Sequence, residues 1–474
     1  MLRTHTCGQL SNKDIGQKAT LCGWVDSRRD HGKIIFVDLR DRYGVTQLVF
    51  LPKPEQLYQQ AKTIRTEDVI RIEGVVNKRP PKTENPKIPT GLVEVCVEKL
   101  EFLSRSEDLP FEIEPDSQVS EELKIFHRYL YLRGPAVLKK FVLRHKFNQA
   151  FRSFLSQQDF LEIETPFLTK STPEGARDFL VPSRLQPAKF YALPQSPQLF
   201  KQILMAAGMD KYYQIVRCFR DEDLRRDRQP EFTQLDIETS FFEEEDIFTL
   251  TEKMLAEAFS QVLGVDLKIP FPRLTYKEAL EKYKTDKPDL KDNYVSDKYR
   301  FLWVTDFPLF EYDQELGRWK SLHHPFTAPT KEGIESLEGN DLSKIKSRSY
   351  DLVLNGEEIG SGSVRIHSIE VQKKVFQALG ISEEEAESKF GFLLRAFKYG
   401  VPPHAGIAFG LDRLYAIITG SETIRDVIAF PKTQRGVSPL SGAPSFVSEE
   451  QLEELGIKVI EQKKQDKENE SQAR

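Results

Sequence analysis

The chain has no apolar run approaching the roughly 20 residues that a membrane-spanning helix needs. With 39 % hydrophobic and 30 % charged residues, its composition is that of a water-soluble globular protein. Residues 1–10 lack the apolar core of a secretory signal, so a cytoplasmic location without membrane attachment is expected. Cysteine is scarce. Cys7, Cys22, Cys96 and Cys218 stand far apart, with no CxxC pair and no Cys/His cluster, which argues for reduced thiols and against a zinc site or disulfide framework.

At 474 residues the chain is long enough for two or three domains, each with its own core. The net charge of −5 is unevenly spread. Residues 1–105 carry 18 Lys and Arg against 13 Asp and Glu, a surplus of five, and the remainder carries a deficit of ten. A phosphate backbone responds to such a locally basic region and hardly to the global sum.

Five short β-rich runs occupy residues 19–103: ATLCGWV, KIIFVDLR, VTQLVF, DVIRIEGVV and LVEVCVEKLEFL. A tight RYG turn joins the second to the third, and RPPKTENPKIPTG separates the last two. Five closely spaced strands predict a small barrel of OB type, whose open face commonly takes single-stranded nucleic acid. A barrel serving another ligand is the alternative. Arg28, Arg29, Phe36, Arg40, Arg42 and Gln47 favour the first reading, because they mix stacking and hydrogen-bonding groups with positive charge.

Prolines and charges in 106–134 predict a hinge region. From Pro135 to Gln158, Leu138, Phe141, Phe147, Phe151, Phe154 and Leu155 recur at helical spacing, and FLEIETPFL then alternates like a strand up to Pro166. The stretch CFRDEDLRRDRQPEFTQLDIETS (218–240) sets Phe232, Gln234, Asp236 and Glu238 against Thr233, Leu235 and Ile237, so its charges cap a loop between two strands. Taken alone, DEDLRRDR reads as a solvated charge run. It is followed far downstream by GIAFGLDRL, with Gly406, Gly410 and Arg413.

Together these two stretches resemble motifs 2 and 3 of the class II aminoacyl-tRNA synthetases, and FRDEDLR.DRQPEFTQ.D.E resembles the bacterial-type aspartyl-tRNA synthetases over nearly the whole chain. The resemblance implies an α+β protein: a five-stranded OB-fold anticodon-binding barrel (1–105), the hinge (106–134), a catalytic domain of antiparallel sheet flanked by helices (135–448) and a polar tail (449–474) whose end is expected to be disordered. The long helix and following strand resemble motif 1, which implies a homodimer. One departure is evident: the chain passes within about ten residues, near 290–300, through the place where bacterial members carry a large extra domain.

The implied activity is ATP-dependent activation of L-aspartate and its transfer to the 3′ end of tRNA(Asp), with tRNA(Asn) as a further acceptor. Arg220 is expected to meet the α-phosphate and the aspartate carboxylate, its planar fork suiting both. Asp221, Glu222, Gln229, Gly410, Leu411 and Asp412 are implied at the ATP site, and Arg413 at the γ-phosphate or adenine. Asp351 and Glu358, on two strands joined at Asn355-Gly356, form a carboxylate pair suited to Mg²⁺ beside a triphosphate. For aspartate the resemblance implies Lys201 and Arg365 at the side-chain carboxylate. Glu174 and Asp236 would serve the α-ammonium or orient Lys201, with Ser196, Gln198, His323 and His324 completing the pocket. An amide ligand is expected to leave two buried cations without a counter-anion.

On the barrel, Arg28, His31, Phe36, Gln47 and Glu94 are the implied anticodon residues. His31 resembles the members that charge both tRNAs. The second such marker, a glycine after the fourth strand, is replaced by Lys82 and Thr83. An asparagine-specific enzyme of the same class and an inactive tRNA-binding relative are the rival readings. Lys201 opposes the first, and the presence of Arg220, Arg365 and Arg413 opposes the second.

Overall fold

The computed structural model describes residues 1–113, 119–172, 175–291, 298–315, 317–339 and 341–460. The chain forms two compact units, Met1–Val119 with Leu132–Leu138, and Ser120–Tyr131 with Lys139 onward. No described helix is long and apolar enough to cross a membrane.

In the first unit, strands β1 (Lys18–Asp30), β2 (Ile35–Asp41), β3 (Gly44–Phe50), β4 (Val69–Lys78) and β5 (Val93–Ser104) close a barrel in the order β1-β2-β3-β5-β4. Strict alternation builds it: Ile70, Ile72 and Val76 of β4 point inward with Leu21, Val37, Leu39, Leu48 and Val95, all fully buried. The five expected strands are all present. A helix that the strand pattern does not announce, α1 (Glu55–Lys62), lies between β3 and β4 and adds Leu57, Tyr58 and Ala61 to the barrel core.

In the second unit, α2 (Glu121–Phe126), α3 (Arg128–Tyr131) and α4 (Pro135–Gln157) precede the strands, α4 crossing the boundary between the units. Much of 120–131 is therefore helical. Buried Arg128 donates to the backbone carbonyls of Arg425, Ile428 and Ala429 at 2.8, 2.7 and 2.8 Å.

The strands that follow are β6 (Leu161–Glu162), β7 (Leu180–Pro182), β8 (Phe190–Ala192), β9 (Lys211–Phe219), β10 (Glu231–Ser240), β11 (Arg273–Thr275), β12 (Phe301–Thr305), β13 (Phe310–Asp313), β14 (Arg318–Ser321), β15 (Ser349–Leu354), β16 (Glu357–Val364) and β17 (His404–Gly410). Eight of them form one sheet, β11-β12-β15-β16-β17-β10-β9-β6; β7–β8 and β13–β14 are separate hairpins. The central pairings are antiparallel as expected, but each edge strand, β11 and β6, pairs parallel.

Helices α5 (Gln198–Ala206), α6 (Glu244–Leu263), α7 (Tyr276–Tyr283), α8 (Lys331–Ser336), α9 (Ile369–Ala378), α10 (Glu383–Phe397) and α11 (Leu411–Thr419) complete the unit up to the short α12 (Glu449–Glu454). Phe147, Phe151, Phe154 and Leu155 of α4 pack in one core with Leu235 and Ile237 of β10 and Leu414 of α11.

One expected element is shorter than its pattern. FLEIETPFL yields only the two residues of β6, because the ladder to β9 ends with the Ile163 N–H donating to the Tyr213 carbonyl at 3.2 Å and Pro166 has no N–H to donate. The end of the tail expected to be disordered lies within 461–474, outside the described residues, as does 292–297 of the passage near 290–300 where the insertion is expected to be missing.

Candidate active site

The β9–β10 hairpin pairs Glu231 with Phe219 through Thr239 with Lys211, which puts Leu235 and Ile237 in the core and Gln234, Asp236 and Glu238 on the opposite face. That face floors a cavity of about 500 Å³. The cavity gathers Ser196, Gln198, Lys201, Arg220, Glu222, Gln229, Asp236, His323, His324, Glu358, Arg365, Gly410, Asp412 and Arg413. Glu174 lies outside the described residues. A larger cavity of about 800 Å³ shares only Arg365 with this one. Its charges are largely spent on each other, Arg348 pairing with Glu243 and Glu244 and Arg273 with Glu245, so the smaller cavity holds the chemistry.

Its innermost wall is a closed charge cluster. Lys201, three residues after Gln198 on α5 and therefore on the same helix face, places Nζ 2.6 Å from Asp236 and 3.2 Å from Glu238. Arg365 donates two bonds to Glu238, at 2.9 and 3.1 Å, and a third to Ser363 at 2.7 Å. All four charged side chains are buried. Burial pushes the Asp236 carboxyl up to about 6 against the pull of Lys201. Burial also raises that of Glu238, but Arg365 and Lys201 outweigh it and hold the group down, at about 2.

This corrects one expectation. The two cations already have protein counter-anions, so an amide ligand would not strand them. Glu238 supplies the difference, and only its place in the alternation of β10 marked it.

The cluster offers a ligand donors and one acceptor, Asp236 Oδ2, which is buried without a hydrogen-bond partner among the described residues. By inventory Lys201 keeps one ammonium hydrogen beyond its two carboxylate partners, and Arg365 keeps two of its five. Half-buried His324, whose Nε2 is itself shielded from solvent, adds another. Desolvation, Arg365 and Lys201 hold its pKa down to about 3, so the ring is neutral. Its Nδ1 accepts from the Phe326 N–H at 3.4 Å, which puts the proton on Nε2, and that atom has no partner among the described residues.

Gln198 is oriented from behind. His404 Nδ1 lies 2.8 Å from the Pro402 carbonyl and must donate to it, leaving Nε2 of the neutral ring to accept from Gln202 at 3.1 Å. Gln202 Oε1 then accepts from Gln198 Nε2 at 3.2 Å, so the Gln198 carbonyl oxygen remains for the cavity.

Gly406, in the motif 3 strand, lies where Glu238 needs room. A Cβ built there would stand 1.9 Å from Glu238 Oε2 and 2.3 Å from the Ile237 carbonyl. On the expectation that this cavity takes aspartate, Gly406→Ala should push Glu238 off Arg365 and raise the aspartate KM at least about tenfold, a change of ~1.4 kcal/mol. An unchanged KM, measured by pyrophosphate exchange, would contradict a part for Glu238 in that expectation.

The opposite end of the cavity is cationic. Arg220 opens the loop after β9, its backbone bonded to Pro230 and its guanidinium 5.0 Å from the Phe232 ring centroid. Among the described residues no carboxylate pairs with it. Arg413, on the first turn of α11, bonds the Glu358 carbonyl and lies 3.1 Å from Asp227.

The Asn355-Gly356 turn, with φ of 53° and 85°, makes β15 and β16 a tight hairpin. Its register sets Asp351 opposite Ser361 and Glu358 opposite Val353. Asp351 Oδ1 is buried without a hydrogen bond; His323 Nε2 lies 3.4 Å away, and Asp351 outweighs the effect of burial and raises the pKa of that imidazole.

Several residues expected at the nucleotide are committed elsewhere. Gln229 spends both ends of its amide on the Lys432 backbone, at 3.0 and 2.8 Å, and so ties the loop. Asp412 bonds Arg144 and the Thr233 N–H, and the Leu411 side chain is in the core, because a helix starting at Gly410 turns these two inward and Arg413 outward. Asp221 does not line the cavity; it is exposed, 3.7 Å from Arg177. Glu222 does, paired with Arg228 at 3.2 Å.

In the first unit, Phe36, Gln47 and Glu94 share the outer barrel face, with Gln47 Nε2 donating to Glu94 at 2.9 Å. Arg29 joins them through Asp38 at 2.7 Å, whereas Arg28 turns away to the Lys62 carbonyl at 2.8 Å. A bulge between Val25 and Ser27 shifts the alternation of β1 and exchanges the two arginines. Arg40 is buried between Asp26 and Glu67. His31 sits edge-on to Phe36, ring centroids 5.6 Å apart. Lys82 has φ of 71°, a conformation that glycine adopts freely, so the backbone keeps a glycine-like turn where the family marker is missing.

Residues 120–434 match the family described as tRNA synthetases class II (D, K and N), and residues 19–103 match the OB-fold nucleic acid binding domain. The chain is similar to the Aspartate--tRNA(Asp/Asn) ligase of Persephonella marina, 46 % identical over 589 aligned positions covering 96 % of this chain and 97 % of the relative. To that of Aquifex aeolicus it is 44 % identical, with 97 % and 98 % covered. An alignment of 589 positions exceeds what 474 residues can fill. Among solved structures, asparaginyl-tRNA synthetase from Pyrococcus horikoshii complexed with asparaginyl-adenylate superposes with a TM-score of 0.75 at 24 % identity, covering 91 % of this chain and 99 % of that one. Aspartyl tRNA synthetase from Entamoeba histolytica gives 0.73 at 24 %, with 91 % of both chains covered. At that identity the likeness is one of fold. The matched length of both regions and the identity to relatives across nearly all of the chain lead to one conclusion: this protein belongs to the class II tRNA synthetases of the D, K and N group.

Proposed function

We propose that the chain is an aspartate–tRNA ligase acting on tRNA(Asp) and tRNA(Asn), with residues 1–105 as the anticodon module and 135–448 as the catalytic domain. The observation that carries the reading is a single cavity with donors of Lys201, Arg365 and His324 at one end and Arg220 and Arg413 at the other. An aspartate side-chain carboxylate accepts from the first set. Its α-carboxylate oxygen then attacks the α-phosphorus of ATP beside Arg220, the bond to the bridging oxygen breaks, and pyrophosphate leaves with the electron pair. Arg220 stabilises charge growing on the phosphorus oxygens, an effect worth about 10²–10³ in rate per donor. The terminal ribose hydroxyl of the tRNA next attacks the activated carbonyl, the bond to the phosphate oxygen breaks, and AMP leaves with its phosphate taking the hydroxyl proton.

Asp351 and Glu358 fit a divalent cation. Both are carboxylates on adjacent strands, and one buried Asp351 oxygen lacks a hydrogen bond. Among the described residues no cluster of three or more metal-ligating side chains exists, so Mg²⁺ would share its ligands with the phosphates, where it would neutralise the leaving pyrophosphate.

Asparagine would set its amide donors against donors of the protein. Lys201, Arg365 and His324 present only N–H groups, so an amide nitrogen facing them goes unpaired, while the acceptors Gln198 Oε1 and Asp236 Oδ2 serve the α-ammonium. Pyrophosphate exchange with aspartate and asparagine in parallel tests this; exchange with asparagine at the aspartate rate would overturn it. Because the cluster is neutral before an anionic side chain arrives, binding is expected to take up a proton at Asp236, whose pKa of about 6 the new charge raises further. Aspartate affinity should therefore rise as pH falls from 8 towards 6. Calorimetry in buffers of different ionisation enthalpy checks it, and no proton uptake would refute it.

For the acceptor, both named relatives above act on tRNA(Asp/Asn). His31 beside Phe36 can donate, accept or stack on either pyrimidine of the third anticodon position. Both transcripts should be charged within roughly tenfold, a gap of ~1.4 kcal/mol, and His31→Leu should widen the ratio; a thousandfold preference in the wild-type chain would contradict this. A homodimer is supported by the exposed apolar residues Leu161, Phe167 and Leu168 following α4.

A further inference from the structure

The nucleotide end of the cavity contains a cation that no motif announces. Lys287 belongs to TDKPDL, the segment leaving α7. One backbone conformation and two contacts hold this segment in place. Lys284 ends α7 in the left-handed region, with φ of 61°; Asp289 takes paired bonds from Arg300 at 2.7 and 3.0 Å; and the Lys287 N–H donates to Thr285 Oγ1 at 3.1 Å. The β15–β16 turn packs on it, a Cβ at Gly356 falling 3.7 Å from the Lys287 carbonyl. So placed, the Lys287 ammonium lies 3.0 Å from Glu358 Oε2, and its side chain is 37 % exposed. Arg413 bonds the backbone carbonyl of the same Glu358. Two cations thus meet at one residue, Lys287 on the Glu358 carboxylate and Arg413 on its backbone carbonyl, within a cavity suited to a polyphosphate.

We propose that Lys287 is a nucleotide-site residue that holds Glu358 by ion pairing and passes to the ATP polyphosphate when a divalent cation takes that carboxylate. An ammonium and a divalent ion on one carboxylate compete for the same lone pairs and repel each other. The phosphates are then the nearest anions for the displaced ammonium. Lysine suits the exchange, being a compact charge on a flexible four-carbon stem, and partial exposure leaves it room to move. The inference rests on the ligase reading of this cavity.

The test uses the full-length chain, with Lys287→Met and Lys287→Arg. Two quantities are measured: binding of Mn²⁺ alone, without nucleotide, by electron paramagnetic resonance, and the Michaelis constants for ATP and aspartate in pyrophosphate exchange. In Lys287→Met, Mn²⁺ should bind at least about tenfold more tightly, because its competitor is gone, while the ATP KM rises at least about tenfold and the aspartate KM stays within about twofold. Lys287→Arg should restore the ATP KM. A lysine that merely positions Glu358 gives the opposite sign for Mn²⁺, since its loss would loosen the ligand. Unchanged or weaker Mn²⁺ binding, or an ATP KM within about twofold of wild type, overturns the proposal. Wild-type chain without any aspartate-dependent exchange would instead strike down the ligase reading. Where Lys287→Met does not fold, Lys287→Gln takes its place.

Discussion

Arg220→Ala should lower aspartate-dependent pyrophosphate exchange by at least about 100-fold, following the magnitude for loss of one preorganised donor. The expectation rests on how little else Arg220 does. Its guanidinium leans on the Phe232 ring and, among the described residues, pairs with no carboxylate, while the loop around it is held by Gln229 on the Lys432 backbone and by Arg226 on the Glu422 carbonyl. Removing the side chain should therefore leave folding and tRNA binding near wild type. Exchange within about tenfold of wild type would sink the assignment. A melting temperature lowered in step with activity would show that the loss came from the fold.

Lys201→Ala should fail in two separable ways. Lys201 is fully buried between Asp236 and Glu238, and removing one partner of a buried ion pair costs ~3–5 kcal/mol because the other charge is left uncompensated. Denaturant unfolding measures that part. The aspartate KM should rise by at least about 100-fold with little change for ATP, since Arg220 and Arg413 lie at the other end of the cavity. The double substitution Lys201→Met with Asp236→Leu should recover most of the stability, since a well-packed apolar pair can replace a buried ion pair, yet none of the aspartate binding. Recovery of binding in the double variant would mean that Lys201 serves only to neutralise Asp236.

Much of the architecture was legible in the order of residues. Alternation marked the five barrel strands and both faces of β10, the 3.6-residue period marked α4, and Asn355-Gly356 marked the hairpin that brings Asp351 and Glu358 onto neighbouring strands. These are short-range patterns, in which local sterics and one buried face suffice to choose the conformation. The errors arose where a decision depended on something remote. FLEIETPFL alternates well but finds ladder partners for two residues only. Arg28 and Arg29 exchange places because one bulge moves the register. Gln229 and Asp412 do line the cavity, as their motifs imply, but spend their polar atoms on the Lys432 backbone and on Arg144 and Thr233.

By itself, the sequence determined the class of protein: a barrel and an antiparallel sheet, one loop and one helix start rich in arginine, and a set of side chains suited to an amino acid, a nucleotide and a nucleic acid. Only the tertiary structure decided who pairs with whom. Lys201 and Glu238 are 37 residues apart and Glu238 and Arg365 are 127 apart, so that no spacing rule links them. Lys287 reaches Glu358 from a segment without a motif. The physical reason is that an ion pair is set by distances of about 3 Å across strands and helices, which depend on the register and packing of the whole sheet. Which charges end neutralised, and which remain free to meet a substrate, follows from those distances.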